Sequence, residues 1–79
     1  MAVKRELKAV ITFSTTTYAL EAERLCKKEM LPGRLIPVPS AISAGCGMAW
    51  CTPTENSHGI KKLLERENVP FEGITELEI

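Results

Sequence analysis

Three observations predict an α+β domain with the chain order β-α-β-β-α-β. Short β-branched and apolar runs alternate with two stretches of helical periodicity in that order. The second strand-like run carries two prolines, Pro37 and Pro39. The last run alternates Ile74, Glu76 and Glu78 with Thr75, Leu77 and Ile79. This order is that of the split βαβ, or ferredoxin-like, sandwich: a four-stranded antiparallel sheet, order 4-1-3-2, with two helices on one face. Prolines and charges both discourage further pairing, which suits them to the edge strands 2 and 4. With 79 residues the chain is expected to be a single domain, 1–79.

Each element has its own signal. Lys8 to Phe13 (KAVITF) is rich in β-branched and aromatic residues and reads as strand 1. Ser14-Thr15-Thr16-Thr17 supplies candidate N-caps for the first helix. Ala19, Ala22, Leu25, Cys26 and Met30 recur at helical spacing as its apolar stripe, and Pro32-Gly33 is its stop signal. Arg34 to Val38 reads as strand 2, Ser40 to Gly47 as a loop of small residues, and Met48 to Cys51 as strand 3. Thr52-Pro53-Thr54-Glu55 has the form of a capping box with proline at the first helical position. Ile60, Leu63 and Leu64 give the second helix its stripe, with Asn68 as its end. Phe71 to Ile79 holds strand 4.

Composition narrows the function. Ten basic and ten acidic residues cancel, and the densest basic groups, Lys4-Arg5 and Lys61-Lys62, fall short of a nucleic-acid footprint. No run is long and apolar enough for a membrane span, and a secretory signal is not expected. Three cysteines are an odd number, which argues against a framework of disulfides and for a reducing, cytoplasmic setting. No catalytic triad, metal cluster or phosphate loop is present, so an enzyme is not expected. No cofactor is expected either.

The topology gathers a candidate site at one end of the sheet. Strands 1 and 3 are expected neighbours, so the start of the first helix should lie near Cys46. A helix N-terminus carries unpaired N–H groups and roughly half a unit of positive charge, which favours a nearby thiolate. Gly45 and Gly47 leave Cys46 open to a partner and permit positive φ, so their N–H groups suit an anion-holding nest. Ser14, Thr15 and Thr16 complete this end. The alternative is that Gly-Cys-Gly is a tight turn around a small buried hydrophobe. Cys51 is five residues further on, roughly 16 Å at the rise of an extended strand, too far for a 46–51 disulfide or a shared metal. Cys26 lies on the helical stripe and reads as core. His58, the only histidine, is expected at the opposite end from Cys46, which argues against a Cys-His pair. Met48 and Trp50 share one strand face. On the helix-free side of the sheet they would form a partner or homodimer interface.

Ile11-Thr12-Phe13-Ser14, Ile36-Pro37-Val38-Pro39 and Ile42-Ser43-Ala44-Gly45-Cys46-Gly47 together resemble the selenium/sulfur carrier family, a group of small bacterial proteins. The resemblance covers nearly the whole chain. It implies that Cys46 is the carrier thiol, taking a sulfur or selenium atom from a donor enzyme and giving it to an acceptor protein. Two positions depart from the family pattern. Ser40 and Cys51 stand where basic residues are common, which leaves Arg34 to do more in holding an anionic cargo. A non-catalytic ligand- or partner-binding module of the same fold is the main alternative, and a purely structural oligomerisation domain is a third.

Overall fold

The computed structural model describes residues 6–39 and 47–78. Strand β1 spans Leu7–Thr12, helix α1 Thr16–Lys28, β2 Arg34–Pro37 and β3 Met48–Pro53. A 3-10 turn at Thr54–Asn56 leads into helix α2, Ser57–Arg66, and the chain returns as β4, Gly73–Glu78. All pairings are antiparallel and the sheet order is β2-β3-β1-β4. Read from the other side this is 4-1-3-2, so Pro37 and the Glu76/Glu78 pair do lie on the two edge strands.

Strand alternation divides the sheet. Ile11 faces Trp50 across the β1–β3 ladder, and both are fully buried. They share one core with Ala19, Ala22, Leu25 and Cys26 of α1 and with Ile60, Leu63 and Leu64 of α2. Both helices therefore cover the same face, and Trp50 points toward them. The reading of Met48 and Trp50 as an outer interface is corrected: Met48 packs against this core and Trp50 is within it. Trp50 Nε1 is buried without a hydrogen-bond partner among the described residues. Such an orphan costs about 1–3 kcal/mol. Burying an indole of ~150–250 Å² contributes roughly 4–6 kcal/mol, so burial wins.

The helix ends show why spacing alone misleads. α1 stops at Lys28, before Pro32 is reached. Leu31 N–H donates to the Cys26 carbonyl (2.8 Å) and Met30 N–H to the Lys27 carbonyl (3.1 Å), the paired bonds of a Schellman cap. Met30 is the left-handed residue of that cap, with φ 58°, and is 89 % exposed. It is not part of the apolar stripe. α2 closes the same way, Val69 N–H donating to Leu64 and Asn68 N–H to Glu65, with Asn68 at φ 58°.

The start of α2 also departs from expectation. β3 runs on through Pro53, and Thr52 pairs with Ala9 inside the ladder. The Thr52 hydroxyl donates to the Pro32 carbonyl at 2.8 Å, so it is not a helix cap. Asn56 occupies the N-cap without a side-chain bond to the helix. The predicted capping box does not form at Thr52, which lies within β3 with its hydroxyl on the Pro32 carbonyl.

Candidate functional site

The α1 end of the sheet is built by its cap. Thr15 is extended (φ −138°, ψ 155°), and its hydroxyl accepts the N–H of Tyr18 at 3.3 Å. This is the role of an N-cap residue. The N–H groups of Thr16 and Thr17 keep no partner among the described residues, and no acidic side chain occupies the first turn. Ser14, Thr15 and Thr16 are all exposed. This end therefore presents hydroxyls and unpaired N–H groups to solvent.

β3 enters at the same end. Thr12 pairs with Ala49, so the register carried outward brings Ser14 level with Gly47. Gly47 has φ +77°, and its carbonyl accepts from Val38 N–H at 3.0 Å. A Cβ on Gly47 would meet nothing within 4 Å, so glycine is favoured there by backbone conformation rather than by space. The approach to β4 closes the group. Glu72 N–H donates to the Thr12 carbonyl at 2.7 Å, and the Thr12 hydroxyl reaches the Gly73 carbonyl at 3.4 Å. Ser14, Thr15, Thr16 and Gly47 are thus brought to one end. Cys46, Gly45 and Ser40 lie outside the described residues.

Arg34 is elsewhere. It opens β2 and pairs with Cys51, toward the opposite end of the sheet from Gly47. The anion-holding role that the sequence assigned to it does not join the α1 end. Cys51 is 7 % exposed and a free thiol. Burial pushes its pKa up, and the charges of Lys8 and Arg34 pull against that without reversing it. Cys26 is fully buried and free, and burial pushes its thiol up to about 11. Both described thiols are therefore held in the protonated, poorly nucleophilic form at neutral pH. His58 is exposed in the first turn of α2, away from the Gly47 end.

One group escaped the sequence reading. Lys8, Arg34 and Cys51 face the side of the sheet opposite the helices, around a cleft of about 580 Å³. Lys8 had been read only as the start of a strand. Parity within each strand was available beforehand, but the register joining three strands was not. Among the described residues no three His, Cys, Asp or Glu side chains form a metal-binding group. No helix there is long and apolar enough to cross a membrane.

The family described as "Putative Se/S carrier protein-like" matches residues 8–76. Neither the curated proteins nor the solved structures give a match.

Proposed function

Because the chain belongs to the Se/S carrier protein-like family, we propose that it carries sulfur or selenium on the Cys46 thiol, without turning over a substrate of its own. The observation that carries this reading is the family match, which spans Cys46. The state of the other two thiols supports it, since Cys26 and Cys51 are both buried with raised pKa. We read the β-α-β-β-α-β frame as ferredoxin-like, with the α1 N-terminus and Gly47 at the carrier end.

The transfer balances without an added oxidant. The Cys46 thiolate attacks the terminal sulfur of a persulfide on a donor enzyme. The donor's S–S bond breaks, a new S–S bond forms on Cys46, and the donor leaves as a thiolate. With selenium, the attacked atom is the terminal selenium, and an S–Se bond breaks as another forms. An acceptor protein repeats the step on Cys46. The N–H groups of Thr16 and Thr17 favour the anionic forms, Ser14 and Thr15 line the approach, and Gly45 and Gly47 leave room for a partner's sulfur. Arg34 takes no part at this end. The compartment proposed is a reducing cytosol, where a free thiol persists.

The test is intact mass spectrometry after incubation with a cysteine desulfurase and cysteine. The wild type should gain roughly 32 Da, one sulfur atom, mapped to the Cys46 peptide and removed by dithiothreitol. Cys46→Ser should gain none. Equal loading of wild type and Cys46→Ser would refute the carrier role.

A further inference from the structure

A cleft on the helix-free side of the sheet is lined by residues of β1, β2 and β3. We propose that it binds a small organic anion with an apolar body, the acid group held between Arg34 and Lys8 over Cys51. Arg34 stands directly opposite Cys51 in the β2–β3 ladder. Lys8 pairs with Pro53, two residues beyond Cys51 on the same face of β3. Two cations from different strands thus flank one thiol on one side of the sheet. Lys8 and Arg34 both line the cleft, and the charges of both oppose the effect of burial on the Cys51 thiol.

The walls select the rest of the ligand. Ile36, Pro32 and Pro53 line the cleft together with the two cations. A volume of about 580 Å³ falls within the range of small-molecule sites, which are mostly apolar with few polar anchors. Arg34 has no ion pair or hydrogen bond among the described residues, so its guanidinium is available as a two-pronged carboxylate or phosphate holder. Lys8 pairs with Glu6 at 3.2 Å, but the Glu6 side chain is 53 % exposed. An exposed pair of this kind is weak, and an anion bound by both cations displaces it. Cys51 forms part of the floor, as a soft and nearly buried surface.

Nitrogen-15 NMR titration tests the site with three probes: benzoate, its neutral near-isostere benzamide, and inorganic phosphate. Benzoate should shift the amides of Gly33, Arg34, Cys51 and Thr52 saturably. Benzamide should bind at least about tenfold more weakly, the loss of one charge-assisted hydrogen bond. Phosphate should also be weaker than benzoate, since it lacks the apolar body. The double variant Lys8→Gln, Arg34→Gln should reduce benzoate binding at least about tenfold. The proposal is overturned if benzoate gives no saturable shift at these amides, or if benzamide or phosphate matches it. Unchanged benzoate binding in the double variant also overturns it. The wild-type comparison decides the matter even if the double variant folds poorly, and no arm involves Cys46 or sulfur loading.

Discussion

Gly33 holds a backbone that a side chain would not tolerate. Its φ is +141°, and an ideal Cβ there would lie 2.6 Å from the Cys51 carbonyl oxygen and 2.6 Å from Trp50 Nε1. Gly33→Ala should therefore combine about 1–3 kcal/mol of backbone strain with about 1–3 kcal/mol of overpacking. Urea denaturation should show a loss of roughly 3 kcal/mol, with a lowered midpoint and an unchanged slope. An alanine as stable as wild type would mean that the Trp50 contact yields easily. The sequence marked Pro32-Gly33 as a break, and a break it is. The deeper reason, a close approach to the indole, was hidden because it depends on a residue of another element. Cys26 was legible as core because a single helix sets its face. The partnership of Cys51 with Arg34 and Lys8 was not, because three strands must be aligned to see it.

At the scale of the element, the two helix ends ask for the same backbone and receive different residues. Asn68 suits the left-handed cap position, since asparagine tolerates it better than most side chains. Met30 does not, and at 89 % exposure it gains no packing in return. Met30→Gly should stabilise the protein by about 0.5–1 kcal/mol, less than the full left-handed penalty because glycine also loosens the unfolded chain. Thermal unfolding should register a rise of a few degrees, and a fall would show that Met30 makes a stabilising contact. Met30 looked like a fifth member of the apolar stripe because it lies four residues after Cys26. Periodicity continues past a helix end, whereas the cap turns the side chain outward. The start of α2 misled in the opposite way: Thr52 has the chemistry of a cap, and a loop carbonyl claims its hydroxyl.

For the whole molecule, the order of elements predicted the sheet order, and edge protection agreed with it before any contact was known. Pro37 on β2 and Glu76 and Glu78 on β4 are unsuited to interior strands, and the observed order puts both strands outside. Glu76 and Glu78 are exposed along an unpaired ladder. Replacing both by valine raises strand propensity while removing the repulsion that deters a second chain. Sedimentation velocity should show the Glu76→Val, Glu78→Val variant shifting to larger species with concentration, relative to wild type. Matching profiles would mean that β4 is protected by something other than charge. The α1 end of the candidate site was legible at this scale, since topology alone brings Ser14 toward Gly47. Arg34 stands at the other end of the sheet from Gly47, as its place at the start of strand 2 implies.

The sealed thiol of Cys26 gives the fold an internal clock. With no surface exposed in the native state, it meets a bulky alkylating reagent only when α1 lifts from the sheet or the whole domain opens. When reclosing is fast, its labelling rate is the intrinsic rate multiplied by the open fraction, so it reads the free energy of opening under native conditions. One reagent added to one sample would then measure two quantities on separate timescales: how accessible the carrier segment is, and how often the molecule comes apart.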